Sequence, residues 1–337
     1  MTVKPADSRR QNLNPGQALQ QGMALHQQGK LDAAERLYTG VLAASPGLFD
    51  AQYLLGMLHL QQNRLQDALR LLNSAVAQRP RDLRALSAFA VTQAGLGRHQ
   101  DALATFDKVV ALAPKDADAV INRAVTLIKL RRYNEAVAGF RQALAIAPKQ
   151  KDALSYLFVA LGELHRDEEA LTVCDALLAL EPNNLDVVNN RGNLLAALGR
   201  IDEAIAAYDQ VLRTRPDDVQ ALSNRGNALR AAGRLDEALA AHEAALARDP
   251  DFSDALNNRG SVLIDLQRPA EALDCFDRAL RFASKDLDIV NNRGIALLAL
   301  GRYGEALENA NRALGIDPNN AAALAQREAA LRAIQPT

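Results

Sequence analysis

Apolar residues along the chain fall into pairs of short runs, and similar pairs recur from near the start of the sequence to near its end. Within a run they are spaced as on one face of an amphipathic helix. In residues 185–218 the first run contains Leu185, Val188, Leu195 and Leu198, and the second contains Ile201, Ala204, Ile205, Tyr208 and Leu212. Gly199 separates the runs and Pro216 follows the second, as is typical of helix ends. The pattern predicts two helices, A and B, joined by a tight turn.

This helical pair repeats with a period of 34 residues. Alanine recurs at Ala34, Ala68, Ala102, Ala136, Ala170, Ala204, Ala238, Ala272 and Ala306. A second small-residue ladder, broken only by Phe158, contains Gly22, Gly56, Ala90, Ala124, Gly192, Gly226, Gly260 and Gly294. Proline recurs at Pro46, Pro80, Pro114, Pro148, Pro182, Pro216, Pro250 and Pro318, and Ser284 takes the vacant place. A fixed period of this length predicts a repeat array in which each unit packs on its neighbours.

The period divides the chain into repeats and two ends, and we number the positions of each repeat from 1, beginning at Pro15. The nine repeats span residues 15–48, 49–82, 83–116, 117–150, 151–184, 185–218, 219–252, 253–286 and 287–320. Residues 1–14 are predicted to be a disordered N-terminal tail, and residues 321–337 a capping helix and C-terminus. In that helix we expect Leu324, Leu331 and Ile334 to cover the ninth repeat, while Gln326, Arg327, Glu328 and Arg332 face water.

The repeat has small residues at positions 8 and 20, a residue near position 24 that is usually large, and proline at position 32. This motif resembles the tetratricopeptide repeat family over almost the whole chain. The resemblance implies an all-α fold, a right-handed α-solenoid of nine such helix–turn–helix repeats with a C-terminal capping helix. It also implies a role in protein binding, because in that family helix A lines a concave groove through positions 2, 5, 6, 9, 12 and 13.

Composition narrows the possible partners and the compartment. The 337 residues carry a formal net charge of −1, which argues against a nucleic-acid or anionic-membrane surface. Two cysteines, Cys174 and Cys275, have no CxxC spacing, so neither a disulfide framework nor a zinc site is expected. The polar start MTVKPADSRRQNLNPGQ has no apolar signal-peptide core, and no apolar stretch is long enough to span a membrane. We therefore expect a cytoplasmic protein.

Catalytic and metal-binding patterns are missing from the sequence. The histidines His26, His59, His99, His165 and His242 occupy five different positions of the repeat, and neither phosphate-binding glycine motif is present. We therefore expect no enzyme activity, no cofactor and no metal. A basic residue at position 16 recurs in every repeat, and we interpret it as a partner for the acid at position 19 and for the negative end of helix A.

The groove positions differ between the two halves of the chain, and the fifth repeat, with Tyr156 and Phe158, is the predicted seam. The first half is apolar, with Leu19, Met23, Tyr53, Met57, Leu60, Val91, Ile121, Val125, Ile128 and Val159. The second half is rich in amides, with Asn189, Asn190, Asn193, Asn224, Asn227, Asn257, Asn258, Asn291 and Asn292. Position 6 forms a ladder of Asn122, Asn190, Asn224, Asn258 and Asn292.

An Asn side chain has two donors and an acceptor, so a ladder of them suits an extended peptide backbone. The alternative is that these amides bond neighbouring helices. The arginines that follow the ladder, Arg123, Arg191, Arg225, Arg259 and Arg293, are expected to pair with acids such as Asp209, Glu243 and Asp277, because charges near a packed interface need partners.

The ladder is similar to the one lining the superhelix of O-linked N-acetylglucosamine transferases. The stretches NNRGNLLAALGRIDEA and SNRGNALRAAGRLDEA also resemble repeats of bacterial SPINDLY-like relatives. The resemblance covers the repeats alone and implies peptide gripping without catalysis. We predict an interaction scaffold or adaptor that binds an extended or helical segment of a partner protein. The alternative is a substrate-recruiting accessory subunit of a separate glycosyltransferase, and formation of a homo-oligomer is left open.

Overall fold

The computed structural model describes residues 14–334. Within this range it contains 19 α-helices and no β-strand, which confirms the predicted all-α solenoid. The chain divides into two compact units, Met1–Arg166 (unit 1) and Asp167–Thr337 (unit 2), and the boundary falls inside the fifth repeat. Most of the predicted N-terminal tail, residues 1–13, lies outside the described residues, whereas Asn14 caps the first helix.

Helices of both units follow the predicted period. Unit 1 contains α1 (Pro15–Gln27), α2 (Leu31–Ala44), α3 (Phe49–Gln61), α4 (Leu65–Gln78), α5 (Leu83–Gly95), α6 (His99–Leu112), α7 (Ala117–Lys129), α8 (Tyr133–Ile146) and α9 (Lys151–Glu163). Unit 2 contains α10 (Asp167–Leu180), α11 (Leu185–Ala197), α12 (Ile201–Thr214), α13 (Val219–Ala231), α14 (Leu235–Arg248), α15 (Ser253–Asp265), α16 (Pro269–Phe282), α17 (Leu287–Ala299), α18 (Tyr303–Ile316) and α19 (Ala321–Ile334).

Local chemistry explains where these helices begin and end. The side chain of Asp116 accepts a hydrogen bond from the backbone N–H of Ala119 at 3.1 Å, and the side chain of Asp218 accepts one from Ala221 at 3.0 Å. At the A–B turn one residue adopts the left-handed conformation, as Gly199 does with a φ of 74°. Proline at position 32 then prevents helix B from continuing.

The small residues of helix A allow close contact with the large residues of helix B. A methyl group added to Gly192 would lie 2.6 Å from the ring of Tyr208, and one added to Gly260 would lie 2.6 Å from the ring of Phe276. Because no real side chain tolerates such a distance, position 8 must stay small wherever an aromatic ring fills position 24. The predicted role of the small-residue ladder is therefore confirmed.

Each unit is a stack of helical hairpins. In unit 1 the A helices α1, α3, α5, α7 and α9 each contact the next A helix, and in unit 2 the same holds for α11, α13, α15, α17 and α19. The B helices pack between consecutive A helices on the other side of each stack. The A helices of a unit therefore present one continuous surface, which we call its helix-A face.

The prediction for the faces of α19 was wrong for Gln326 and for the three large apolar residues, whereas Glu328 and Arg332 are exposed as predicted. Ala323, Gln326 and Ala330 are the buried residues of this helix, whereas Leu324 and Leu331 are 39% and 41% exposed. Ile334 is also exposed. The reason is that α19 docks as one more A helix and contacts α17 and α18, and the described chain provides no B helix to cover its leucines. Gln326 is buried because it holds the ladder position and donates to the backbone carbonyl of Asn291 at 2.9 Å.

Candidate functional site

The helix-A face of unit 1 carries most of the predicted apolar contact residues. Met23, Val91 and Val159 are exposed. Tyr53, Met57, Leu60, Val125 and Ile128 are half-buried and remain partly accessible. Tyr156 interrupts the ladder, as predicted, and its ring stacks on that of Phe140 with centroids 5.9 Å apart.

Two residues predicted to lie on this surface are instead part of the core. Leu19 is 8% exposed and Ile121 is 6% exposed. Both occupy position 5, which lies at the contact between consecutive A helices, and Leu19 packs in a cluster that includes Leu54 of the next A helix. A branched apolar side chain at this position is covered by the neighbouring repeat, so these two residues lack the exposed area that a partner contact needs.

The amides of unit 2 form bonds between repeats as well as an accessible surface. The side-chain N–H of Asn224 donates to the side-chain oxygen of Asn193 at 3.0 Å and more weakly to that of Asn189 at 3.4 Å. Asn292 donates in the same way to Asn257 at 2.9 Å. Position 6 of one repeat thus bonds positions 5 and 9 of the repeat before it. Part of the ladder is structural, which was the alternative interpretation.

Two other members of the ladder, Asn122 and Asn190, and Asn227 at position 9 have no such bond in the described chain. The side chains of Asn122, Asn190 and Asn227 form no hydrogen bond with another residue in the described range 14–334. In the sixth repeat the hydroxyl of Tyr208 donates to Asn193 at 2.7 Å. In the seventh repeat His242 stands in the place of that tyrosine, and Asn227 keeps its full hydrogen-bonding capacity.

Even the amides that bond another residue keep donors or acceptors that form no hydrogen bond within the described chain. Asn258 donates only a weak bond, 3.5 Å long, to the hydroxyl of Ser223, and Asn292 uses its N–H groups but not its oxygen. The oxygen of Asn291 is buried and has no hydrogen-bond partner. Because a primary amide offers two donors and two acceptor lone pairs, the face can still bond a peptide backbone.

A cavity of about 250 Å³ opens on the helix-A face of unit 2. Its amide lining consists of Gln220, Asn224, Asn227, Asn257 and Asn258. Ser223, Asp254, Asp286, Asp288 and Ile289 also line it, and neither these residues nor Gln220 were among the predicted contact residues. Asp254 and Asp288 occupy position 2, so the family groove positions were the available signal. Ser223 occupies position 5, which is also a family groove position, whereas Asp286 gave no signal because it resembles an ordinary cap residue.

The five position-7 arginines pair with acids, as predicted, and do not extend the amide surface. Arg225 bonds Asp209 at 2.6 Å, Arg259 bonds Glu243 at 3.0 Å and Arg293 bonds Asp277 at 2.6 Å. Arg123 and Arg191 form equivalent pairs with Asp107 and Asp175. Each acid lies 16 residues before its arginine, on the preceding helix B.

The repeated basic residue at position 16 and the two cysteines are structural features. Arg200 forms two bonds of 2.7 Å to Glu203, and Arg268 forms the same bidentate pair with Glu271. Cys174 and Cys275 are buried. Burial raises the pKa of the Cys174 thiol to about 12, which leaves it unreactive at neutral pH.

The described residues contain neither a metal-type cluster of side chains nor a helix suited to crossing a membrane. Within residues 14–334, no group of three or more His, Cys, Asp or Glu side chains has the arrangement of a metal site. None of the helices in the same range combines the length and the apolar character that crossing a bilayer requires.

Family models match the chain over most of its length. One model, described as "Tetratricopeptide repeat", matches residues 25–90 and 94–157. A second model with the same description matches residues 157–219, 189–251, 224–286 and 257–321. No curated protein matches the chain.

Solved structures with a similar fold include a tetratricopeptide repeat protein from Parabacteroides merdae, with a TM-score of 0.51 and 18% identity over 74% of this chain and 98% of that one. The type IV pilus biogenesis factor PilW gives a TM-score of 0.54 and 21% identity over 62% of this chain and 97% of that one. A chain of an APC/C hetero-tetramer gives a TM-score of 0.54 and 14% identity over 94% of this chain and 76% of that one. At these identities the similarity shows the fold alone.

Proposed function

The chain belongs to the tetratricopeptide repeat family, and we propose that it is a protein-interaction scaffold that holds a segment of a partner protein on its helix-A faces. The observation that carries this proposal is the row of accessible amides in unit 2. They lie on consecutive A helices and retain unused donors and acceptors, and four of them, Asn224, Asn227, Asn257 and Asn258, line one cavity. Amides in such a row can pair with successive peptide units of an extended chain, largely independently of its side chains.

The proposed contact residues of unit 2 are the amides that the structure leaves accessible. Asn190, Asn227 and Asn258 are the centre of the surface, because their hydrogen-bonding groups are free or weakly used. Asn189, Asn193, Asn224, Asn257, Asn291 and Asn292 complete it through their remaining donors and acceptors. Each bond to a partner's backbone would contribute about 0.5–1.5 kcal/mol, so several together give useful affinity.

Unit 1 is proposed to receive apolar side chains. Met23 and Val91 are its exposed contacts, and Tyr53, Met57, Leu60, Val125 and Ile128 are the half-buried ones. Methionine side chains adapt easily to different apolar surfaces, so this face suits the apolar side of a helical segment or an extended one. Asn122 is the single ladder amide on this face.

The other candidate, recruitment of substrates for a separate glycosyltransferase, rests on the resemblance of the Asn ladder and of two repeat stretches, and it stays a prediction. This candidate requires the same peptide-binding surface, so the peptide-selection experiment described next tests that surface for both candidate functions. Formation of a homo-oligomer is likewise untested.

The proposal is tested by selecting a displayed library of random 16-residue peptides on the purified protein and measuring the affinity of the recovered peptides. The decisive variant is the double substitution Asn190→Ala and Asn227→Ala, because neither side chain bonds another described residue. We expect the melting temperature to be unchanged and peptide affinity to fall about 5- to 150-fold, which corresponds to two lost hydrogen bonds.

The matched control removes two exposed amides from B helices, Gln210→Ala in α12 and Asn311→Ala in α18. Affinity should not change in this variant. If the selected peptides bind both variants as tightly as the wild-type protein, the amide surface is not the binding site and the proposal fails.

A further inference from the structure

The cavity in unit 2 has charge of one sign. Asp254 and Asp288 lie in the first turns of α15 and α17, and Asp286 is the N-cap of α17. All three line the cavity, and the described lining includes no Lys or Arg. The surface that offers amides to a peptide backbone therefore also offers three carboxylates beside them.

Two acids at position 2 of other repeats pair with an arginine, whereas among the described residues these three acids do not. Asp186, at the same position of α11, pairs with Arg215 at 2.7 Å, and Asp50 in α3 lies 3.9 Å from Arg79. No ion pair within residues 14–334 includes Asp254, Asp286 or Asp288. One oxygen of Asp286 accepts the backbone N–H groups of Asp288 and Ile289, and its other oxygen makes no bond within that range.

A buried hydroxyl in the same cavity also points to a ligand. Ser223 is 1% exposed and lines the cavity. It accepts a 3.5 Å bond from Asn258, but its own proton has no acceptor in the described part of the chain. A hydroxyl so deeply buried normally donates a hydrogen bond, so a peptide carbonyl in the cavity would supply the missing acceptor.

The charge must be balanced by a group that reaches each carboxylate separately. The three acids do not cluster in the manner of a metal site within the described residues, which disfavours a divalent cation. Lys and Arg side chains combine a cationic head with a long stem, and they can extend from a backbone on the amides to a carboxylate at the rim.

We propose that the segment held by the helix-A face of unit 2 is a basic, extended polypeptide. The amides and Ser223 bond its backbone, and Asp254, Asp286 and Asp288 bind its Lys or Arg side chains. This inference rests on the proposed function and adds the chemical class of the partner. It predicts that binding weakens with salt, because the carboxylates are partly exposed.

The test uses fluorescein-labelled 12-residue peptides of Gly and Ser that carry Lys at every fourth residue, with matched peptides carrying Gln or Glu instead. Fluorescence anisotropy should show the Lys peptide binding about tenfold more tightly than the Gln peptide, and the Glu peptide more weakly than either. The double variant Asp254→Asn and Asp288→Asn should lose this preference and most of the salt dependence.

The control variant Asp186→Asn loses an acid from the same helical position, but that acid is already paired, so the Lys preference should persist. Equal binding of the Lys and Gln peptides, or an unchanged preference in the double variant, would overturn the inference. If Gln-peptide binding still depends on Asn190 and Asn227, the proposed function survives that result. If no peptide binding depends on those amides, both proposals fail.

Discussion

Units 1 and 2 are built from the same hairpin but present different surfaces. In both, alanine at position 20 is fully buried, as at Ala68 in unit 1 and Ala272 in unit 2. On the helix-A face, however, unit 1 exposes Met23 and Val91, whereas unit 2 exposes Asn193 and Asn227. The contact between helices A and B restricts only a few positions of the repeat. The remaining face is free to vary, and that is where the units acquire different binding chemistry.

The largest expected difference between the units is in their stability at acidic pH. His242 of unit 2 is fully buried, and neither ring nitrogen has a hydrogen-bond partner. Burial, together with Arg230 and Arg259, lowers the pKa of His242 to about 4, from 6.5 for an exposed histidine. The unfolded chain therefore binds the proton more readily. The contribution of neutral His242 to the free energy of unfolding is fully present above pH 6.5 and is lost as pH falls toward 4. The loss is about 3 kcal/mol at most.

Hydrogen exchange at pH 7 and at pH 4.5 tests this, with His242→Phe as the control because Phe276 fills the same position of the next repeat. At pH 4.5 the protection factors, which are exchange rates corrected for the intrinsic effect of pH on amide exchange, should fall around α13 and α14 in the wild-type protein and much less in the variant. At position 24 of unit 1, Leu72 and Phe106 carry no group that protonates. Equal acid sensitivity of His242→Phe and the wild-type protein would show that another group is responsible.

The close helix contact gives the next largest effect. Gly260→Ala places a methyl group 2.6 Å from the ring of Phe276, which is completely buried, so the ring must shift within a packed core. We expect a loss of about 1–3 kcal/mol in the free energy of unfolding, measured with urea. Gly40→Ala in α2 of unit 1 is the control, because a methyl group there meets nothing within 4 Å. It should stabilise the protein by about 0.5–1 kcal/mol. A neutral Gly260→Ala would mean that the contact is not close.

Replacing a ladder amide should lower the free energy of unfolding by an amount that depends on the hydrogen bonds its side chain forms. Asn224 of unit 2 donates to Asn189 and Asn193 and accepts from Gln220 at 3.0 Å, whereas Asn122 of unit 1 is exposed and its side chain has no partner in residues 14–334. We expect Asn224→Ala to cost about 1–2 kcal/mol and Asn122→Ala to change stability little. Urea denaturation of both variants measures the difference, and equal costs would show that the inter-repeat bonds are not stabilising.

The smallest effect concerns the A–B turn, which should not distinguish the units. Gln267 in unit 2 and Arg131 in unit 1 adopt the left-handed conformation with φ of 60° and 58°. Glycine adopts this conformation without strain, so Gln267→Gly and Arg131→Gly should each stabilise the protein by about 0.5–1 kcal/mol. Asn63→Gly should gain less, because asparagine already tolerates this conformation. Thermal unfolding of the three variants decides whether the strain is real.

The sequence predicts the fold closely because its signals are local and repeated. Helix caps such as Asp218, the turn at Gly199 and the small residue at Gly192 each follow from one residue type in one place. The surface is less predictable, since exposure depends on what the neighbouring repeat contributes. Leu19 and Ile121 become buried for that reason, and Leu324 becomes exposed because α19 docks as an A helix. The negative charge of the cavity depends on which acids form an ion pair with an arginine in the folded chain. Residue spacing in the sequence does not predict those pairs.

The amide surface itself is the central claim, and locating a bound peptide tests it most directly. A library-selected peptide that carries a photoreactive group can be cross-linked to the protein and its attachment sites mapped by mass spectrometry. We expect attachment on the A helices α11, α13 and α15, around Asn190, Asn227 and Asn258. Attachment on the B helices α12, α14 and α16 instead would contradict it.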